Sequence, residues 1–310
     1  MNMLKKDKLD VACVGVVVVD ALSGPITDFP IPKVKTQVNT DKIEFLVGGG
    51  AANTSSALAQ LGIKCSIFSS IGDDMNGQFI RDSLVENGVN VSQLKVKTET
   101  STPFTYVALH EEGERTFIHT PGVNMIYALD DICLVELLKA KVLVYQDLFV
   151  MPSLDGNPAA ELLKKSKEAG QVVVLDECYG LGPQKQKLEM LLPYVDYFLP
   201  SYDDLKIIYP ALTPEEMINY FEKFGSIQSI LKLGKRGCLA KINDKFITFP
   251  SVSKNIIDTT GAGDCFDAGF IAGLCSDYSI SDSIILGQKV ASHCIAHVSG
   301  AENIPSLDNI

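Results

Sequence analysis

The run VACVGVVVV at residues 11–19 constrains this chain more than any other feature. It is apolar at every position rather than at every second one. A strand of that kind has both faces covered, as in a parallel sheet with helices on either side. Residues 11–19 are therefore expected to form one central strand. Lys5, Lys6 and Lys8 precede the run, but it is β-branched rather than leucine-rich and ends at Asp20, so a secretory leader is the weaker reading. With no apolar stretch of the ~20 residues that a membrane span needs, a cytoplasmic location is the default expectation.

Strand-like and helix-like segments then alternate. After Gly48-Gly49-Gly50, residues 51–61 place Ala52, Leu58 and Ala59 at helical spacing and stop at Gly62. Strands are expected at residues 63–70, 142–145, 172–175, 197–199 and 227–233, with helices at 157–169 and 214–224 between them. The pattern predicts a doubly wound α/β fold, with a mostly parallel sheet and helices on both faces. Two stretches break it, at about 30–47 and 102–120. The second carries Phe104, Tyr106, Val107, Phe117 and Ile118 around the turn Glu111-Glu112-Gly113-Glu114. We expect one domain over 1–310, from which these two stretches stand off as a small β-sheet lid.

Charge limits the partners. With 27 basic against 38 acidic residues the formal net charge is -11, which disfavours nucleic acid and anionic membranes. A phosphorylated ligand would need a local device, such as a helix N-terminus, a few placed cations or a divalent metal. The eight cysteines are scattered without a CxxC pair and read as reduced, mostly buried thiols.

The segment DTTGAGD at 258–264 supplies such a device. Phe266, Phe270 and Leu274 recur at i, i+4 and i+8, so a helix is expected from about Gly263, with its free N–H groups turned back on Gly261-Ala262-Gly263. That turn is a candidate anion hole, in which glycine admits a polyphosphate and a positive φ. Asp264 falls in the first helical turn, where the dipole favours its ionised form. A carboxylate beside an anion hole suits phosphoryl transfer, although an acidic first-turn residue is also a common cap.

Two further segments are read with their alternatives open. GGGAAN at 48–53 lets a ligand approach the backbone, and Asn53 offers an amide either to a hydroxyl or to its own loop. A dinucleotide fingerprint fits poorly, because GxGxxG lacks its third glycine. Asp20 lies at the carboxyl end of the first strand, where it either meets a polyol or closes a turn.

Together these segments resemble the PfkB family, the ribokinase-like carbohydrate kinases, across nearly the whole chain. The family's Gly-Gly signature ending in Asn matches residues 48–53, and its D-T-x-G-A-G-D signature matches 258–264, in the expected order and spacing. The resemblance implies a ribokinase-like fold and ATP-dependent phosphorylation of a primary hydroxyl of a sugar. It makes Asp264 the catalytic base and Gly261, Ala262 and Gly263 the anion hole, and it gives Asp20, Gly49 and Asn53 to the sugar hydroxyls. Residues 231–237, LKLGKRG, resemble the family's nucleotide-side loop, with Lys232 where threonine is frequent. Lys232, Gly234, Gly237 and Ser201 are the implied nucleotide contacts.

The family's N-x-x-E motif stands here as Ser201-Tyr202-Asp203-Asp204. Asp204, one methylene shorter than glutamate, is the candidate for holding Mg²⁺ through water, with Asp203 able to share the task. A second acidic sugar contact after the strand at 142–145 falls on Gln146 or Asp147. A monovalent cation and a homodimer through the lid are further expectations. The rival readings are a nucleoside kinase of the same family and an inactive sugar or nucleotide sensor.

Overall fold

The computed structural model describes residues 9–26, 37, 39–110, 115–178, 180, 184–225, 227–253, 256–297, 301 and 304–310. Thirteen strands are described. In chain order they are β1 (Val11–Val14), β2 (Val18–Ile26), β3 (Ile43–Gly48), β4 (Cys65–Gly72), β5 (Leu94–Lys97), β6 (Phe104–His110), β7 (Arg115–Thr120), β8 (Val142–Leu148), β9 (Val172–Glu177), β10 (Tyr197–Phe198), β11 (Gln228–Lys232), β12 (Cys238–Ile242) and β13 (Lys245–Phe249). The helices are α1 (Gly50–Gln60), α2 (Met75–Glu86), α3 (Leu134–Leu137), α4 (Asn157–Glu168), α5 (Gln184–Leu191), α6 (Tyr202–Ile208), α7 (Pro214–Phe221), α8 (Ala262–Cys275) and α9 (Ile280–Cys294).

Nine strands form one sheet in the order β13-β12-β11-β10-β9-β8-β1-β4-β5. From β5 to β11 every pairing is parallel, and β12 and β13 close that edge as antiparallel strands. Strand β1 is central, between β4 and β8, and its four residues are fully buried. Val11 and Cys13 pack into one apolar layer with α1, α8 and α9, while Ala12 and Val14 pack into the other with α4, α5 and α7. This is the physical content of the unbroken apolar run: each side of the strand meets a different helical layer.

The run does not, however, make one strand. It breaks at residues 15–17, and from Val18 the chain enters a second, four-stranded sheet of order β3-β2-β6-β7. An apolar pattern cannot show this break, because β2 is also mostly buried and reads the same way. Strands β3, β6 and β7 lie in the two stretches expected to stand apart. The longest strand of the small sheet, β2, begins with Val18 and Val19, the last two residues of the run that read as core. The turn at Glu111-Glu112-Gly113-Glu114 and residues 30–36 and 38 lie outside the described residues.

Alternation along the paired strands sorts the small sheet into two faces. Leu46, Asp20, Thr105 and His119 form one cross-strand row, and Leu22, Val107 and Phe117 project from the same side. The opposite side carries Phe45, Ala21, Tyr106 and Ile118, with Ile43 at its edge.

Candidate active site

Helix α8 starts where its sequence predicts. Its N-cap, Gly261, has φ 73, a left-handed conformation that costs glycine nothing, and Asp264 stands in the first turn. The buried Phe266 and Phe270 hold the helix down, so its N-terminal N–H groups face a cleft of about 730 Å³. Gly49, Asn53, Ser201, Lys232, Gly234, Gly237, Gly261, Ala262, Gly263, Asp264 and Asp204 all line this cleft. Eleven of the twelve residues named from sequence thus converge on one space, although they come from elements up to 215 positions apart.

Asp20 is the exception. It projects from β2 into an adjoining cavity of about 50 Å³, lined also by Leu22, Leu46, Val107, Phe117, Asp258 and Thr260. Asn53 and Thr260 line both spaces, so the two cavities meet at Asn53. Burial lifts the Asp20 carboxyl above its ordinary range, while Thr105 and the nearby His119 draw it down.

Asn53 and Asp264 are bonded to each other. The Asn53 amide donates to Asp264 Oδ2 at 2.8 Å, and Thr54 Oγ1 donates to the Asp264 carbonyl at 3.1 Å. Helices α1 and α8 are thereby pinned together at their first turns. The expected effect of the dipole on Asp264 is outweighed. Burial raises its pKa, joined by the charge of Asp176, against the pull of Asn53 and Lys232. Gly49 holds φ 95, and a Cβ there would lie 2.4 Å from the Val16 carbonyl oxygen, so the loop before α1 has no room for a side chain.

Lys232 is not a loose surface cation. Its ammonium sits 2.9 Å from Asp176 Oδ2 and 3.2 Å from Asp267 Oδ1, and a Cβ on Gly263 would come within 3.3 Å of it. Burial would lower its pKa, but Asp176 and Asp267 outweigh that and hold it charged. Arg236, by contrast, lies 5.5 Å over the Tyr202 ring, and Lys235 lines the cleft.

Ser201 caps α6, accepting from the Asp204 N–H, and its own N–H donates to Glu177. Asp176, Glu177, Asp203 and Asp204 all line the cleft, and Glu177 is pushed up by burial and then by the charges of Asp176 and Asp204. Asp176 Oδ1 is buried and has no hydrogen-bond partner among the described residues. Among those residues no three metal-binding side chains are grouped to cage an ion directly. The carboxylate oxygens of Asp176, Glu177, Asp203 and Asp204 fit a hard divalent cation that keeps much of its water, so the residues present suit Mg²⁺.

Sequence reasoning missed Asp176, Glu177 and Asp267, and left Asp147 undecided against Gln146. Asp147 lines the cleft and accepts from the Val16, Gly50 and Ala51 N–H groups. Burial and the charge of Asp264 lift its carboxyl to about 7, against the pull of Val16 and Gly50. Gln146 turns away, donating to Thr54 Oγ1 at 2.6 Å. Asp176 and Glu177 end a buried parallel strand, the same signal that singled out Asp20, so they were within reach. Asp267 carries a weaker signal, a lone acid one turn after Asp264 on an apolar helix.

Residues 8–307 match the pfkB family carbohydrate kinase profile. The chain belongs to this family. Over 310 residues it is 26% identical to an ATP-dependent 6-phosphofructokinase of Thermoanaerobacterium thermosaccharolyticum, covering 98% of this chain and 93% of that protein. It is 29% identical over 287 residues to a ribokinase of Lactococcus lactis, covering 90% and 89%. The fold matches the structure of Arabidopsis thaliana ribokinase complexed with ribose and ATP, with a TM-score of 0.83 at 23% identity and 97% of each chain covered. Among the described residues of this family member, no helix is long and apolar enough to cross a membrane.

Proposed function

We propose that the protein transfers the γ-phosphoryl group of ATP to a primary hydroxyl of a sugar. The observation that carries this reading is the position of Asp264, which lines the large cleft and is bonded to Asn53, a residue shared with the smaller cavity. The sugar lies where the two cavities meet under the small sheet, held by Asp20, Asn53 and the Gly49 backbone. ATP lies along Gly234, Gly237 and Ser201, with its terminal phosphates at Lys232 and the turn 261–263.

Asp264 accepts the proton of the hydroxymethyl group as its oxygen attacks the γ-phosphorus, and the bond to the β-γ bridging oxygen breaks. The N–H groups at the start of α8 and the Lys232 ammonium stabilise the charge on the phosphoryl oxygens. Asp204 and Glu177 would hold Mg²⁺ through its water, and the ion would supply charge neutralisation on the phosphates. The small sheet acts as a lid that keeps water from the reacting phosphate. Its outer face leaves Phe45 55% and Ile118 58% exposed, and we propose that a second copy of the chain covers it.

A coupled ADP assay with ribose, fructose, fructose 6-phosphate and adenosine tests the reading. Asp264→Asn should lower kcat by about 10² to 10⁴ while sugar binding persists, the usual loss for a positioned base. Parent-like turnover by that variant would remove Asp264 from the role, and binding without any ADP formation would make the protein a sensor. One observation favours adenosine as a second reading: Phe117, 60% exposed, stands with Leu22, Leu46 and Val107 on the face towards Asp20, an apolar wall that suits a nucleobase. Phe104 and Tyr106, also candidates for that slot, project from the other face.

A further inference from the structure

The chain leaves the large sheet through residues 15–17 and returns from β3 through Gly49 into α1. Two further crossings, β5 to β6 and β7 to β8, also join the sheets, but these first two end on one carboxylate. Asp147 Oδ2 accepts from the Val16 N–H of the outgoing crossing at 2.8 Å and from Ala51 at 3.3 Å, while Oδ1 accepts from Gly50 at 3.1 Å. Asp147 itself stands where the pairing of β8 with β9 shifts register, with φ 58, a left-handed conformation that is unfavourable for a non-glycine residue. The surroundings are cut to its shape. A Cβ on Gly50 would lie 2.7 Å from Oδ1 and 2.8 Å from Oδ2, and one on Gly15 would lie 2.7 Å from Oδ2.

The consequence runs through α1. Gly50 and Ala51 are the first residues of that helix, and one turn on Asn53 reaches Asp264. We propose that Asp147 is a positioning residue for the phosphoryl transfer: its carboxylate locks the crossings at either end of the β2–β3 hairpin to the first turn of α1, and so sets Asn53 and the Gly49 loop against Asp264. Asp147 needs no contact with the reacting atoms to do this. A carboxylate is the suitable group, because it presents two acceptor oxygens to three converging N–H donors, which neither a glutamine-type amide nor a hydroxyl can do.

The kinetic half of the proposal rests on the kinase reading above, and the structural half does not, so the test has two parts. Amide hydrogen exchange in the free protein compares the parent with Asp147→Asn and Asp147→Gly. The glycine variant suits the positive φ and removes the carboxylate without straining the backbone. Exchange at Val16, Gly50 and Ala51 should accelerate at least about tenfold in both variants, while the amides of β11 keep their protection. With ATP and D-ribose or D-fructose as substrates, the sugar KM should rise about tenfold or more and the ATP KM should stay within about twofold, since the nucleotide half of the cleft does not touch the lock.

Gly50→Ala, which presses on the carboxylate, should reproduce Asp147→Gly and add nothing to it in the double variant. Unchanged exchange at the three amides overturns the lock, whatever the enzyme assay gives. Accelerated exchange with both KM values moving together, or neither moving, reduces Asp147 to a purely structural role and overturns the positioning.

Discussion

Removing the Lys232 ammonium should expose how much the site depends on one buried ion cluster. Lys232→Met keeps most of the side-chain volume but leaves Asp176 and Asp267 facing each other without a cation. Their side chains are 9% and 0% exposed, so both carboxylates are largely desolvated. Deleting one member of a buried ion cluster costs about 3 to 5 kcal/mol, because the remaining charge stays desolvated. For 310 residues, an unfolding entropy of about 2.1 cal/mol/K per residue gives roughly 0.65 kcal/mol/K, so the melting temperature should fall by about 5 to 8 °C.

The pH dependence has a definite sign. Burial and the neighbouring Asp176 already raise Asp267 above its unfolded value of 3.8, and loss of the ammonium raises it further. A carboxyl whose folded pKa is raised is least costly below its unfolded pKa and destabilises progressively as pH climbs through the folded value. The deficit of the variant should therefore be small below the unfolded value of 3.8 and grow as pH rises above it. Adding Asp267→Asn leaves a single carboxylate with an amide beside it, and should recover about 2 kcal/mol as a coupling term in a double-mutant cycle. Thermal and urea melts of the four proteins measure this. A Lys232→Met protein within about 1 kcal/mol of the parent at neutral pH, or a cycle additive to about 0.5 kcal/mol, would refute the ion-cluster argument.

Because burial raises the Asp264 pKa, the pH profile of kcat/KM should fall on the acid side at a pH above that of an ordinary aspartate, and Asn53→Ala should move that limb higher by removing the amide that draws the pKa down. An acid limb unmoved by Asn53→Ala would break this link. Gly49→Ala should lower both stability and sugar kcat/KM, since φ 95 and a 2.4 Å approach to the Val16 carbonyl leave its methyl no space, and a melt together with initial rates checks it. Replacing Phe45 and Ile118 by lysine should convert a dimeric mass in sedimentation to a monomeric one. A monomeric parent would count against covering of the small sheet by a second copy.

Much of the architecture was legible from local signals. The strands at 142–145, 172–175 and 227–233 and the helices at 157–169 and 214–224 fall within a few residues of the observed β8, β9, β11, α4 and α7, because burial on both faces and helical spacing are written into adjacent residues. Helix α8 was legible for the same reason, since a glycine turn, an acid in the first turn and the stripe Phe266, Phe270 and Leu274 lie within seventeen positions. The family resemblance, through residues 48–53 and 201–204, added Gly49, Asn53 and Ser201 to the same cleft.

What remained hidden depends on residues that meet only after the chain has folded. At the break the Val16 N–H donates to a carboxylate 131 positions away, so no window of sequence around Val16 contains that partner. The Lys232 ammonium is fixed by two aspartates from β9 and α8, and Asp20 faces a cavity of its own because β2 joined the small sheet. Apolar patterning selects which side of a strand is covered, whereas the choice of sheet and the pairing of buried charges are decided by distances in space. Sequence alone determined the layered α/β scaffold and the helix that presents Asp264; tertiary packing decided which carboxylates surround it, since Coulomb and desolvation energies depend on separation and burial rather than on order along the chain.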